Sequence, residues 1–360
     1  MSRIVAVRGV LPGNRHAQAE ITAALADVVL GDEPPGSPRR ALLGRVHAAA
    51  GVETRHLALP LAAYAGISGF GEANDVFIDV GLQLGERAVR QALDAAGLEP
   101  ADVDLIITTS VTGIAAPSLD ARLVGRLGLR DDVKRIPIFG LGCVAGAAGI
   151  ARLHDHLRGD PDGVAVLLSV ELCSLTFQRD DASTSNLVGS ALFGDGAAAV
   201  VMVGERRART LEAAGAAPKV VATRSRMYPD SEHVMGWDIR DTGFRLVLAA
   251  TVADVVDKYL RDDVEAFLAL HGLGVGDVDT WVAHPGGPKV IEAIDRALTL
   301  PTGALYVTRA SLAAIGNLSS SSVLHVLEGT LAAGRARPGS PGLLFALGPG
   351  FCSELVLLEW

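Results

Sequence analysis

The sequence predicts an α/β fold built from two similar halves, and three observations carry that prediction. Amphipathic helical stretches alternate with short, continuous apolar runs, the pattern of strands buried on both faces. One helix–turn–strand unit occurs twice: residues 96–110 (AGLEPADVDLIITTS) align with residues 271–285 (HGLGVGDVDTWVAHP). The composition supports a large core, with 49% hydrophobic residues, 20% charged residues and a mean hydropathy of +0.34 over 360 residues.

Taken in order, residues 31–40 (GDEPPGSPRR) are rich in Pro and Gly and predict an exposed loop. Apolar residues spaced by three and four over 77–98 predict a helix, with Gly97 as its stop. DVDLIITTS (102–110) follows as a buried strand. In the second copy the amphipathic stretch 251–270 takes the helix's place. The likeness continues more weakly: residues 162–174 (DGVAVLLSVELCS) and 341–353 (PGLLFALGPGFCS) are both apolar runs ending in Cys-Ser. A repeat of this length predicts two halves rather than a solenoid, whose periods are about 20–50 residues. The polar segment 204–215 (GERRARTLEAAG) marks the junction, dividing the chain into 1–205 and 206–360.

A net charge of −9 and a pI near 5.5 argue against a nucleic-acid surface, which needs clustered Lys and Arg. Three cysteines, Cys143, Cys173 and Cys352, fit a reducing cytoplasm without a disulfide framework. The N-terminal residues lack the apolar stretch of a signal peptide, and no apolar run reaches the roughly 18 residues of a membrane span. A cytoplasmic protein is expected.

Five short stretches carry candidate chemistry. In IPIFGLGCVAGAAGIARLHDHL an apolar strand runs through Gly140 and Gly142 to Cys143 at the start of a helix. The positive end of a helix favours thiolate over thiol, although a buried, inert cysteine is a common alternative. The small residues after it allow close helix packing. In WVAHPGGPKVIEAI, His284 ends a buried strand before a Pro-Gly-Gly turn, at the strand end where α/β proteins bind ligands; a hydrogen-bonded structural histidine is the plainer reading. In IGNLSSSSVLHVLEGTL, Asn317 suits a helix cap, yet its helix starts almost where the Cys143 helix starts in the other half. Gly348, Pro349 and Gly350 form a bare backbone segment, and Phe193, Gly194 and Asp195 a turn before a buried strand.

Together these stretches resemble the chalcone synthase-like type III polyketide synthases, over essentially the whole chain. Cys143 in GLGCVAGAAG, His284 in HPGGPKV and Asn317 in GNLSSSSV match the family's catalytic positions in order. Phe193 in ALFGDGAAAV falls on the gatekeeper phenylalanine. LGPG matches the active-site glycine loop, with Ala346 where the usual pattern has glycine. The resemblance implies a thiolase-type fold in αβαβα layers and iterative decarboxylative Claisen condensation of malonyl-CoA, or methylmalonyl-CoA, onto an acyl-CoA starter. Cys143 would carry the acyl chain; His284 and Asn317 would stabilise the enolate. No metal or redox cofactor is implied, and no zinc-ligand spacing or Walker motif is present.

By the same resemblance Val111, Thr112, Cys173, Thr176, Trp237, Leu246 and Ser319 line the reaction chamber. Relative to plant chalcone synthases, Trp237 replaces a glycine and Leu246 a phenylalanine. The sequence around these residues looks most like bacterial enzymes making alkylpyrones or alkylresorcinols, which implies a medium-to-long aliphatic starter. A homodimer is also implied, with Ala116 where relatives reach into the partner's chamber, and Arg40, Arg45 and Arg55 as candidate CoA-phosphate contacts. Three other readings remain open at this point: a ketoacyl synthase III-like enzyme making one condensation on acyl carrier protein, a catalytically silent acyl-binding scaffold, and a cysteine hydrolase. The last leaves the duplicated halves and the GPG segment unexplained.

Overall fold

The apolar runs become the inner strands of one nine-stranded sheet in the computed structural model, which describes every residue except Asp32, Pro35 and Ala216. The chain opens with β1 (Ser2–Val10). An antiparallel pair, β2 (Asn14–Ala17) and β3 (Thr54–Leu57), brackets helices α1 (Gln18–Val29) and α2 (Pro38–Ala48). Then follow α3 (Phe70–Ala96), β4 (Leu105–Ser110), α4 (Leu119–Leu127) and β5 (Lys134–Phe139). α5 (Ala145–Gly159), β6 (Val164–Leu172), α6 (Thr184–Leu192) and β7 (Asp195–Val203) complete the first half. The polar junction holds the short α7 (Glu205–Ala208). The second half begins with β8 (Lys219–Met227), the hairpin of β9 (Met235–Arg240) and β10 (Gly243–Leu248), and α8 (Val252–Ala269). It ends with β11 (Thr280–Ala283), α9 (Pro288–Leu298), α10 (Tyr306–Ile315), α11 (Ser322–Ala333), β12 (Pro341–Gly348) and β13 (Cys352–Glu359).

The duplication read from the sequence is visible in the strand order, β11-β12-β13-β8-β1-β7-β6-β4-β5. Outward from the centre the halves run β1-β7-β6-β4 and β8-β13-β12-β11. In each, the first two pairings are antiparallel and the third is parallel. The repeated units therefore place β4 and β11 at equivalent positions. The first half adds β5 outside β4, and the sheet order has no matching strand outside β11. A short antiparallel pairing, Ser2 with Val220 and Arg3 with Lys219, joins the two halves.

Side chains alternate between cores as the pleat requires. Val164, Val166, Leu168 and Val170 of β6 pack in one cluster with α3, while Ala165 and Leu167 pack in another with α5 and α11. Along β12, Leu343, Phe345 and Leu347 pack with α8 and α9, and Leu344 and Ala346 with α5 and α11. The layers are α3, sheet, α5 with α11, sheet, α8 with α9, which is the thiolase-type αβαβα arrangement. Each fully buried Leu or Val contributes about 1.5–3 kcal/mol, so the two-faced strands anchor the fold.

Several local expectations are met with changed limits. The helix at 77–98 starts earlier, at Phe70, and stops at Gly97 in the left-handed region. The Pro/Gly stretch 31–40 does not stay a loop throughout: Ser37 accepts a hydrogen bond from the Arg40 amide and starts α2 with Pro38 in its first turn. Asp32 and Pro35 of that stretch lie outside the described residues. The two Cys-Ser pairs do not coincide. Cys173 follows β6 in a 3-10 turn, whereas Cys352 opens β13 beyond a turn. The strand before Cys143 forms, but as the sheet edge it leaves Ile136 and Phe139 about half exposed.

Candidate functional site

Two strand-to-helix connections and one helix-to-helix connection converge where the halves meet. Gly142, Cys143 and Val144 form a 3-10 turn that leads from β5 into α5. Gly142 has φ +56°, a backbone that suits glycine, and a Cβ there would lie 2.7 Å from Pro349. A Cβ on Gly348 would come within 3.0 Å of the Val144 amide and 3.4 Å of the Cys143 amide. The Gly348–Pro349–Gly350 segment therefore seats directly against the Cys143 turn. Ala346, the departure from the resembled pattern, lies inside β12 in the core cluster that also holds Val144.

His284 follows β11 immediately, its amide donating to the Phe345 carbonyl at 3.0 Å. Asn317 lies between α10 and the 3-10 turn Ser319–Ser321 that opens α11. Its Oδ1 accepts from the Ser319 amide at 2.9 Å, a capping contact, and its Nδ2 donates to the Gly286 carbonyl at 3.3 Å. The Cys143 thiol donates to Ser319 Oγ at 3.7 Å. A chain of contacts thus ties Cys143 through Ser319 and Asn317 to the turn that carries His284. Ser319 holds a left-handed backbone, φ +49°, unusual for a residue with a side chain.

Burial governs the electrostatics. It pushes the Cys143 thiol up to about 12, against the hydrogen bond to Ser319, and pulls the His284 imidazole down to about 3. Both ring nitrogens of His284 are buried without a hydrogen-bond partner. Burial thus works against the thiolate expected from the helix end, and the His284 ring is not hydrogen-bonded to Cys143. Two unpaired polar atoms in the interior are costly unless something occupies them.

A cavity of about 170 Å³ lies beside this cluster. Cys173, Thr176, Trp237 and Leu246, four of the seven chamber residues expected from the sequence, line it together with the gatekeeper position Phe193. Trp237 and Leu246 face each other across the β9–β10 hairpin. The cavity's far wall comes from Ile21, Leu25 and Val28 of α1 and from Leu61 and Tyr64, which the sequence reading did not single out. Cys143, His284, Asn317, Ser319 and the Gly348–Gly350 segment are not among its lining residues, and neither are Val111 and Thr112. Thr112 is engaged elsewhere: its hydroxyl donates to Glu171 at 2.9 Å and accepts from the Leu172 amide.

The three arginines expected to meet CoA phosphates separate. Arg45 is exposed on α2 and remains a candidate. Arg40 is occupied by the Leu30 and Glu33 carbonyls and by Asp27, so it closes the end of α1. Arg55 departs from the expectation of a surface contact: it is only 2% exposed and borders the cavity instead. Its Nη1 donates instead to the Phe193 carbonyl.

Glu171 was missed. It is fully buried at the end of β6 and accepts from Val111 N, Ser110, Thr112 and Ser320; burial pushes it up to about 7. The signal was present as the one acid inside the apolar run VAVLLSVEL. Among the described residues no group of His, Cys, Asp and Glu is arranged to hold a metal ion, and no helix is long and apolar enough to cross a membrane.

The fold and this cluster define a condensing acyltransferase of the thiolase type. The chain belongs to the chalcone and stilbene synthase family: residues 60–206 match its N-terminal domain and residues 219–359 its C-terminal domain. It is a type III polyketide synthase, which condenses malonyl-CoA and requires no cofactor beyond its CoA substrates. It is 57% identical to a 1,3,6,8-tetrahydroxynaphthalene synthase of Streptomyces peucetius subsp. caesius, over 99% of this chain and 93% of that protein. A phloroglucinol synthase of Pseudomonas fluorescens is 36% identical over 90% of each chain. The crystal structure of the 1,3,6,8-tetrahydroxynaphthalene synthase of Streptomyces coelicolor superposes with a TM-score of 0.92 at 29% identity, covering 99% of both chains.

Proposed function

We propose that this enzyme builds an aromatic polyketide of the tetrahydroxynaphthalene type from malonyl units, using Cys143, His284 and Asn317. The 57% identical relative supports the product class. The observation that carries the catalytic assignment is His284, whose two buried ring nitrogens lack partners on a turn tied to Cys143 through Asn317 and Ser319.

In this reading Cys143 Sγ attacks the acyl-CoA thioester and passes its proton, through His284, to the departing CoA sulfur. Malonyl-CoA then enters and its C–C bond to the carboxylate breaks, releasing CO₂ and leaving the electron pair as an enolate. An N–H of neutral His284 and Nδ2 of Asn317 donate to the enolate oxygen. The enolate carbon attacks the acyl thioester, a C–C bond forms, and the Cys143 sulfur leaves. Phe193 stands between the CoA approach and the cavity, and Arg45 is the remaining phosphate contact. The division at 205/206 puts the nucleophile in one half and both donors in the other. A homodimer in the cytoplasm completes the reading. The exposed Ile136 and Phe139 on edge strand β5, with exposed Ile114 and Ala116 in the loop after β4, support pairing there.

A second reading, a medium-to-long aliphatic starter closed to an alkylpyrone or alkylresorcinol, is favoured by the apolar wall that Ile21, Leu25 and Val28 give the cavity. One assay separates the two. Purified protein receives malonyl-CoA alone, or with acyl-CoAs from acetyl to stearoyl, and products are identified by mass spectrometry beside Cys143→Ala. A fused-ring aromatic from malonyl-CoA alone, absent in the mutant, supports the first reading. Products only with long acyl-CoAs support the second. A mutant as active as wild type overturns the catalytic assignment.

A further inference from the structure

The segments carrying Phe193 and Asn317 meet in a short parallel bridge of their own, outside the nine-stranded sheet. The Asn317 amide donates to the Leu192 carbonyl at 2.8 Å, and the Gly194 amide donates to the Asn317 carbonyl at 3.0 Å. One side chain runs along both segments. Arg55, from β3, donates through Nη1 to the Phe193 carbonyl at 2.7 Å and through Nε to Gln18 Oε1 at 3.0 Å. Its methylenes pass so close that a Cβ on Gly316 would lie 3.2 Å from them and a Cβ on Gly194 3.6 Å.

This is a costly way to hold a loop. The guanidinium is 2% exposed, and its Nη2 is buried with no partner. Burial draws Arg55 down to about 10, with the Asp195 carboxylate opposing, so it stays charged at neutral pH. A buried cation with an incomplete partner set is poor evidence of stabilisation, since an apolar side chain of similar volume often does as well. What the guanidinium adds is direction: two fixed donors that set the Phe193 backbone against α1, and with it the bridged Asn317.

We infer that Arg55 is a positioning residue for the condensation: it fixes the Phe193 segment and, through the Phe193–Asn317 bridge, the amide that faces the enolate. The inference rests on the reading of Asn317 as an enolate donor. Arg55 borders the cavity, but it acts on the condensation through both residues.

The test compares two half-reactions. Acylation of Cys143 by acyl-CoA, followed by intact-protein mass, does not use the Asn317 amide; decarboxylation of malonyl-CoA does. Asn317→Ala sets the reference split. Arg55→Lys keeps the charge but loses the two-point geometry. It is expected to lower kcat for decarboxylation about tenfold or more while KM and the acylation rate stay within about threefold. Gln18→Leu leaves the guanidinium in place and removes its Nε acceptor, together with the bond that Gln18 Nε2 donates to the Ala191 carbonyl. It is expected to show the same split at about threefold, which keeps the test decisive if Arg55→Lys does not fold. Equal losses in both half-reactions, or no loss in either, would overturn the positioning role. If Asn317→Ala itself decarboxylates at the wild-type rate, the catalytic reading beneath it fails instead.

Discussion

The turn Gly142–Val144 leads into α5, and the turn Ser319–Ser321 leads into α11, at matching places in the two halves. Each is a 3-10 turn that runs directly into its helix, and each begins with a left-handed residue, Gly142 at φ +56° and Ser319 at φ +49°. The next residue is Cys143 in one half and Ser320 in the other. Ser320 donates to Glu171 and meets Ser169 Oγ at 2.8 Å, with no exposed surface. Cys143 has one long contact, to Ser319, and stands in the half-to-half seam with the unpaired His284. Equivalent backbone thus serves opposite ends: one turn presents a nucleophile, and the other is locked into buried polar scaffolding that supports it.

That comparison can be broken in graded steps. The largest contrast is in turnover. Cys143→Ala should abolish condensation, by about 10³-fold or more, while Ser320→Ala retains it within about tenfold, as product formation will show. Next comes the crossing of the two helices. A Cβ on Gly146 would collide with the Ser320 carbonyl oxygen, so Gly146→Ala should cost about 3 kcal/mol in urea denaturation.

The third concerns pH. Burial raises Glu171 from 4.5 to about 7, so the fold favours its protonated form. The stability from this group is fully present below pH 4.5 and is lost as pH rises through 7; buried Asp195, raised to about 6, runs the same way. Glu171→Gln should flatten the fall in unfolding free energy across that window by about 3 kcal/mol. An unchanged slope would remove Glu171 as its source. The smallest step is Ser320→Ala, which takes one donor from Glu171 and should destabilise by about 1–2 kcal/mol without moving the acylation site.

Much of this was legible in the chain because the signals are local. Strands buried on both faces, such as β6 and β12, leave continuous apolar runs, and the 96–110 repeat lands β4 and β11 on equivalent strands. The Cys143, His284 and Asn317 motifs each carry their own turn chemistry. What was not legible depends on the third dimension. Arg55 sits in a short, polar strand and reads as surface, yet α1 and the Phe193 loop close over it. The exposure of β5 follows from its edge place, not its apolar sequence. The walls given by α1 come from residues far from any motif. The helix-end argument for a thiolate took no account of burial, which pushes the Cys143 thiol the other way.

The most direct test of the account is where the acyl group lands. Wild type, Cys143→Ala and Ser320→Ala would be incubated with acetyl-CoA or malonyl-CoA, weighed intact by mass spectrometry and mapped by peptide. The account predicts one acyl group on the Cys143 peptide in wild type and Ser320→Ala, and none in Cys143→Ala. An acyl group on Cys173 or Cys352, or one that persists in Cys143→Ala, would contradict it.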